Sequence, residues 1–197
     1  MNAFRLGAVA ALASITASAA ALAAPITVNP GPVTANGQSY AVYVFADAAN
    51  TDTLTLSGFS GNPIFNNKTT STGSTVDLGS RFGTQAFTLN NTTTGISFTT
   101  GVADPVDTYY HATYSTNYAS FGVGALSSTA AAAIAALPGT GSLLFVGFED
   151  VRGGDYDYND LIFAFRTPAT AVPEPSSLLV LGLGLVGLGV VRRKGLI

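Results

Sequence analysis

Carboxylates are crowded into one short stretch toward the C-terminus of the chain. Residues 149–160 include five carboxylates, one asparagine and one arginine. Like charges at this density raise one another's pKa and destabilise a fold unless water or a cation relieves the repulsion. Calcium is suited to that task because it takes roughly six to eight oxygens from carboxylates, amides and backbone carbonyls. The stretch therefore points to cation binding as the first chemistry to consider.

The spacing within the stretch matches the start of an EF-hand loop and then departs from it. Asp155, Asp157 and Asn159 offer side-chain oxygens at alternate positions. The sixth position is Asp160 where an EF-hand has glycine, and the twelfth is Arg166 where it has glutamate. The stretch is not an EF-hand.

A longer motif, spanning 148–163, surrounds these residues. It runs from Phe148-Glu149-Asp150 through a glycine-bearing spacer to Asp155-Tyr156-Asp157-Tyr158-Asn159-Asp160-Leu161-Ile162-Phe163. The motif resembles the signature of the domain-of-unknown-function 4114 family, found on exported and often multi-domain bacterial surface proteins. The resemblance implies a β-rich extracellular module with a calcium site, whose ligands by position are Glu149, Asp150, Asp155, Asp157, Asn159 and Asp160.

A purely structural explanation of these residues stays open. Asp and Asn cap turns by accepting hydrogen bonds from nearby backbone N–H groups, so Asn159-Asp160 can simply start the next strand. Glu149 or Asp150 can pair with Arg152, and such a surface ion pair contributes about 0–1 kcal/mol. The alternative to a calcium site is an acidic turn.

The acidic stretch must be positioned by the segments on either side of it. Residues 142–148 are strongly apolar and predict a central strand, and 161–165 predict its partner, with Leu161, Phe163 and Phe165 on one face. The stretch is then a connection of about a dozen residues between two buried strands, which is longer than most hairpin loops. Long loops that carry reactive side chains are more often functional than filler.

The remainder of residues 25–167 predicts a mainly β domain. Short runs of β-branched and aromatic residues alternate with turn signals, as in an antiparallel β-sandwich or jelly-roll-like fold. Residues 127–139 are the exception, because alanine content, serine caps and Pro138-Gly139 predict one short helix. Further strands are predicted at 39–46, 53–56, 75–78, 85–89, 96–100 and 108–114, with a polar loop at 62–74.

Composition excludes several kinds of site. The chain has no cysteine and one histidine, His111, which excludes disulfides, thiolate zinc sites and multi-histidine metal sites. Residues 25–167 hold ten acids and four bases, so the domain repels nucleic acid. No Gly-x-Ser-x-Gly elbow accompanies His111, and we expect no enzymatic activity.

Tyrosines near His111 support a second hypothesis. Tyrosines on a sheet face can stack on sugar rings, which gives a carbohydrate-binding or carbohydrate-active domain as the alternative function. Ordinary packing within a sandwich is the preferred explanation of them. The residues concerned are Tyr109, Tyr110, Tyr114 and Tyr118.

The N-terminal segment, 1–23, has the features of a signal peptide. A basic start through Arg5 precedes an apolar run that ends in Ala21-Leu22-Ala23, the small-x-small pattern that signal peptidase cleaves. A permanent N-terminal anchor is the weaker alternative, because the run is alanine-rich and ends in a cleavage pattern.

The C-terminal segment, 172–197, follows a linker at 168–171. Val172-Pro173-Glu174-Pro175 comes first, an apolar run predicts a transmembrane helix at 177–191, and Arg192-Arg193-Lys194 forms a basic cytoplasmic end. These parts in this order resemble the PEP-CTERM sorting signal of Gram-negative bacteria. The resemblance implies cleavage by an exosortase and delivery to the cell surface or an exopolysaccharide matrix. An ordinary single-span anchor is the alternative.

These observations combine into one expectation. The chain is exported through the inner membrane, held there transiently by its C-terminal helix, and sorted to the surface or matrix. Its β domain is structural or adhesive, with calcium as the expected cofactor. Signal peptidase, exosortase, the membrane and exopolysaccharide are the expected partners.

Overall fold

The computed structural model describes residues 24–168. The predicted signal peptide at 1–23 and the sorting segment at 172–197, with its helix at 177–191, lie outside the described residues. So does the predicted linker beyond residue 168. Across residues 24–168, no helix has the length and apolar character needed to cross a membrane.

Antiparallel strands make up most of the described chain. In chain order the elements are β1 (Thr34–Phe45), β2 (Asp52–Leu56), β3 (Phe65–Asn66), β4 (Thr75–Thr84), β5 (Phe87–Asn91), β6 (Ile96–Thr99), β7 (Ala112–Ser115), a 3-10 helix (Tyr118–Phe121), α1 (Ser128–Ala135), β8 (Ser142–Phe148) and β9 (Leu161–Thr167). One sheet has five strands in the order β4-β1-β9-β8-β7, and the other has four in the order β3-β2-β5-β6.

The main core lies between the two sheets. Successive side chains of a strand point to opposite faces, so alternate residues of β9 face this core and pack on the four-stranded sheet. The Phe87 ring lies 4.8 Å from the Phe163 ring and 5.4 Å from the Phe165 ring, measured between centroids. The core includes Val146, Phe148, Leu161, Phe163 and Phe165 from the first sheet and Leu54, Leu56, Phe87, Leu89 and Phe98 from the second.

The outer face of the five-stranded sheet is covered by α1. Ala130 and Ile134 of the helix join Val42, Ile162 and Ala164 in a second buried cluster. Such a short helix is marginal on its own, so its stability depends on this packing. β1 and β9 are therefore buried on both faces, and the domain has three layers.

The structure confirms the predicted mainly β fold with two antiparallel sheets and one helix. Several boundaries differ from the prediction. β1 begins earlier, at Thr34, because it pairs with a longer β4. The strand predicted at 108–114 is reduced to β7, because Thr108 has a φ of 67° and the Asp104 carboxylate accepts a hydrogen bond from Val106 N in the preceding turn. The loop predicted at 62–74 contains the short strand β3.

Candidate metal centre

The acidic stretch is the loop that connects β8 to β9. The last pair of the ladder is Phe148 with Leu161, so the loop comprises residues 149–160. At its base, Asp160 N donates to the carbonyl oxygen of Phe148 (3.1 Å), and Glu149 N donates to that of His111 (2.9 Å). These bonds hold Glu149 in a buried position and Asp160 in a half-buried one at the end of the sandwich.

One set of acids converges on the Glu149 side chain from the far part of the loop. Carboxylate oxygens of Glu149, Asp155 and Asp157 lie within 4.8 Å of one another. Glu149 is 1% exposed, and its Oε2 atom accepts no hydrogen bond from any described residue. A buried, unpartnered carboxylate oxygen is costly, because its lost hydration is not replaced.

A second set shares Glu149 and lies closer to the strands. Carboxylate oxygens of Glu149, Asp150 and Asp160 also lie within 4.8 Å of one another. Asp160 Oδ2 accepts a hydrogen bond from Asp150 N (2.8 Å), and Asp150 Oδ2 accepts one from Asn50 Nδ2 (2.9 Å). The loop thus brings five of its six predicted ligand residues into two overlapping acidic sets.

The sixth predicted ligand residue, Asn159, acts on a neighbouring acid. Both its backbone N and its side-chain Nδ2 donate to the Asp157 carboxylate. Its carbonyl oxygen accepts a hydrogen bond from Asp47 N (3.2 Å). Asn159 therefore orients Asp157, and this turn is one of the capping contacts that the acidic-turn alternative predicts.

Two tyrosines hold the loop backbone in an uncommon conformation. Tyr156 and Tyr158 have φ values of 57° and 59°, in the left-handed region that bulky residues rarely adopt. Tyr158 Oη donates to the Tyr110 carbonyl oxygen (3.1 Å) and accepts from Ile26 N (2.9 Å), and the Tyr156 ring packs edge-on against Tyr109. Such backbone persists only where surrounding contacts fix it, so the positions of Asp155 and Asp157 are built into the loop.

Gly154 leaves the space that the Glu149 carboxylate occupies. A Cβ atom added at Gly154 would lie 1.9 Å from Glu149 Oε1. Any side chain at this position would displace the acid that both sets share. Glycine is therefore required at position 154, because the Glu149 carboxylate lies too close for a side chain.

The carboxylates of the loop repel one another. Burial raises the pKa of Glu149 to about 7, and the charges of Asp155, Asp157 and Asp150 act in the same direction. Burial is also the main cause that raises the pKa of Asp160 to about 8. At neutral pH these acids compete for protons, which a divalent cation can replace.

The arginine of the loop is directed elsewhere. The predicted pairing of Arg152 with Glu149 or Asp150 is wrong, because Arg152 forms a bidentate pair with Asp104, with Nε–Oδ1 and Nη2–Oδ2 distances of 2.9 Å. The Arg152 hydrogen bonds lower the pKa of Asp104 to about 2. The acids of the loop gain no positive charge from this residue.

The donor set fits calcium on the chemistry of its atoms. The converging groups are all carboxylate oxygens, which calcium prefers, and Glu149 Oε2 is buried without a partner. Transition metals would favour imidazole or thiolate, but His111 is bound to Asp107 through Nε2 (2.8 Å) and stacks on Phe98 at a centroid distance of 3.8 Å.

One acid near the loop was missed by the sequence analysis. Asp52, at the start of β2, is fully buried, and burial together with the charge of Asp150 raises its pKa to about 7. The only local signal was an aspartate just before a strictly alternating strand. Nothing in that pattern indicates that β2 begins near the β8–β9 loop.

The four tyrosines on which the carbohydrate-binding alternative depends make packing contacts. Tyr118 is buried in the cluster under α1, and Tyr114 packs against the main core. Tyr109 contacts the Tyr156 ring, and the Tyr110 backbone binds the Tyr158 hydroxyl. These contacts are those of ordinary sandwich packing, the explanation preferred from the sequence.

Comparison with known proteins identifies the C-terminal segment. Residues 171–194 match the family model of the PEP-CTERM protein-sorting motif, which confirms the resemblance seen in the sequence. The motif marks an exported protein with a C-terminal anchor that an exosortase processes. No curated protein and no solved structure matches the chain. The resemblance of the acidic motif to the domain-of-unknown-function 4114 family stays a prediction.

Proposed function

We propose that this exported protein is a calcium-stabilised structural or adhesive module of the cell surface or exopolysaccharide matrix. The observation that carries the calcium assignment is the Glu149 carboxylate, buried with an unpartnered oxygen between two sets of acids. The sorting motif supports the location, because it delivers proteins outside the cytoplasm. Calcium is commonly abundant there, so even a weak site fills.

Glu149, Asp155 and Asp157 are the residues we assign to the cation. Calcium supplies the positive charge that offsets the repulsion among these acids. Asn159 keeps Asp157 oriented, while the Tyr156 and Tyr158 conformations keep the far part of the loop folded over Glu149. A loop fixed in this way gives a rigid end to the sandwich, which suits a structural or adhesive role.

We also propose that the domain has no catalytic activity. What supports this is the position of His111, the chain's single histidine. Its side chain is fully buried between Phe98 and Asp107, where a substrate cannot reach it. A general base must come within hydrogen-bond reach of the proton that it removes.

Calorimetric titration of the full chain, purified in detergent, tests the calcium assignment. We expect calcium to bind with a Kd of about 10⁻⁴–10⁻³ M, the range of extracellular modules, and magnesium to bind more weakly because it demands a stricter geometry. The double variant Asp155→Asn/Asp157→Asn should lose this binding. Asp77→Asn, an exposed acid on β4, is the matched control. Absence of calcium binding at millimolar concentration would refute the assignment.

Cell fractionation tests the proposed location. We expect the full chain to reach the cell surface or matrix fraction, and a chain truncated before Val172 to be lost from it. In an exosortase-deficient strain the protein should remain in the inner membrane. Recovery of mature surface protein that still contains the 178–191 peptide would contradict processing.

A further inference from the structure

A groove lies on the helix-covered side of the five-stranded sheet, at the end of β9 opposite the acidic loop. Its volume is about 390 Å³, within the range of about 300–1,000 Å³ that is usual for binding pockets. Tyr40 of β1 and Arg166 of β9, which are partners in the ladder, line it together with the connection between α1 and β8. Pro168, the last described residue, also lines the groove. The chain therefore leaves the sandwich directly at this groove.

The positive charge in the groove has no acidic partner among residues 24–168. Arg166 Nη1 donates to the carbonyl oxygens of Leu137 (3.2 Å) and Gly139 (3.3 Å). Its Nε atom is buried and donates to no described residue. Neither of the ion pairs within residues 24–168 includes Arg166. A guanidinium in this state favours an anion, because a charge-assisted hydrogen bond would satisfy the buried donor.

One acid, Asp77, shares the row of Tyr40 and Arg166 across the sheet. Tyr40 stands between the two charged residues, since it pairs with Asp77 on one side and with Arg166 on the other. Neighbouring strands lie about 4.8 Å apart, so roughly 10 Å separates the two backbones. The Asp77 carboxylate accepts hydrogen bonds from Gln38 Nε2 and Gly79 N. Asp77 therefore leaves the anion position beside Arg166 open.

The C-terminal segment brings one acidic side chain to this end of the molecule. Glu174 is the only Asp or Glu in residues 169–197, and it follows Pro168 by six residues. Even a fully extended chain keeps it within about 22 Å of Pro168, and so short a tether gives an effective concentration in the millimolar range. Pro173 and Pro175 flank it, and proline-rich segments dock in grooves lined by aromatic rings such as that of Tyr40.

We propose that this groove binds the chain's own sorting motif, residues 172–175, with the Glu174 carboxylate paired with the Arg166 guanidinium. The flanking prolines pack against the Tyr40 ring. The inference is independent of the calcium assignment, because it involves the other end of β9. The folded sandwich then holds the motif at its own surface, and an exosortase must displace it before cleavage.

The pKa of Glu174 in the full chain, purified in detergent, tests the proposal. Glu149 and Glu174 are the only glutamates of the chain, so isotope-labelled glutamate gives two carboxyl signals by NMR, which Glu149→Gln assigns. We expect the pKa of Glu174 to lie at about 3 instead of its ordinary value of about 4.3, because a neighbouring guanidinium favours the charged form. Arg166→Gln should restore the ordinary value. Lys68→Gln, which removes one positive charge outside the groove, should keep the lowered value.

The outcomes decide the matter as follows from the pairing. An ordinary Glu174 pKa in the wild type would overturn the proposal, and so would a lowered value that persists in folded Arg166→Gln. Far-ultraviolet circular dichroism shows whether that variant folds. If it does not, the wild type in urea takes its place as the reference. Equal Glu174 pKa values in the native and the denatured wild type would then overturn the proposal.

Discussion

Two buried acids at the same end of the sandwich have opposite environments. Asp104 is 6% exposed and binds the Arg152 guanidinium through both carboxylate oxygens, and its pKa falls to about 2. Glu149 is 1% exposed and faces other acids, and burial raises its pKa to about 7. The first acid is neutralised by the chain, and the second is not.

The difference shows what the loop lacks. Its one arginine lies within the acidic stretch in sequence, yet the fold directs that side chain to an acid outside the loop. Glu149 and its neighbours are left to share protons or to take a cation from solution. This contrast is the physical basis for assigning the cation to Glu149 and none to Asp104.

The largest expected effect comes from Asp104→Asn. The change removes a charge-assisted bidentate pair from a buried carboxylate, so we expect a clear fall in the free energy of unfolding. Because this acid does not bind the cation, the loss should be the same in calcium and in chelator. Chemical denaturation under both conditions measures it. A loss of stability seen only in calcium would show that Asp104, like Glu149, depends on the cation.

In chelator at pH 8, Glu149→Gln should stabilise the fold, whereas Asp104→Asn destabilises it. It replaces a buried charge among like charges by a neutral group of equal size, and we expect a gain in stability of about 2 kcal/mol. The same variant should lose stabilisation by calcium. Denaturation curves with and without calcium check both parts. Destabilisation in chelator comparable to that of Asp104→Asn would show that the two acids are alike.

In chelator, the free energy of unfolding should change with pH in two separate ranges, which form a lower and an upper limb. Asp104 has a lowered pKa, so its contribution is present above about pH 4 and is lost as the pH falls toward about 2. Glu149 and Asp160 have raised pKa values, so their protonated forms favour the fold, and stability falls as the pH rises from about 4 to about 8.

The slope of the second limb is about 1.4 kcal/mol per pH unit for each proton by which the two states differ. Melting temperatures measured from about pH 2 to about pH 8, at roughly unit intervals, trace both limbs. Calcium should flatten the upper limb, because cation binding replaces the protons. If calcium leaves the stability loss between about pH 4 and about pH 8 unchanged, Glu149 and Asp160 do not interact with the cation.

Gly154→Ala should have the smallest effect of the four. The added Cβ forces the Glu149 carboxylate to move, and we expect a loss of about 1 kcal/mol in stability with a weakened calcium affinity. Calorimetry and denaturation together measure it. Gly83→Ala is a comparison in open space, where nothing lies within 4 Å of the added atom, although its positive φ adds strain. Unchanged calcium affinity in Gly154→Ala would show that Glu149 is not a ligand.

The local pattern of apolar residues predicted the two strands that flank the site. The apolar runs on either side of the acids fixed β8 and β9, since a continuous hydrophobic segment next to a turn signal reports burial directly. The acids themselves were visible as a charge cluster. The position and the length of the loop followed from those two facts, whereas the burial of Glu149 and Asp150 at its base did not.

Long-range pairing could not be predicted in the same way. Arg152 and Asp104 are separated by 48 residues in the chain, and their contact depends on how the loop folds over the turn before β7. Asn91 of β5 reaches the Asp150 carbonyl oxygen only because two separate sheets pack face to face. The residue pattern of a strand indicates which of its own side chains are buried. It does not indicate which polar residue lies opposite that strand across the core.

The most direct test of the cation assignment is the thermal unfolding of the full chain in detergent at pH 8. We expect the melting temperature to rise by about 5 °C between chelator and calcium at about ten times its Kd, since a ligand that binds only the folded state stabilises it. Glu149→Gln should show no such rise, while Asp104→Asn should keep it. Equal melting temperatures of the wild type in calcium and in chelator would contradict the account.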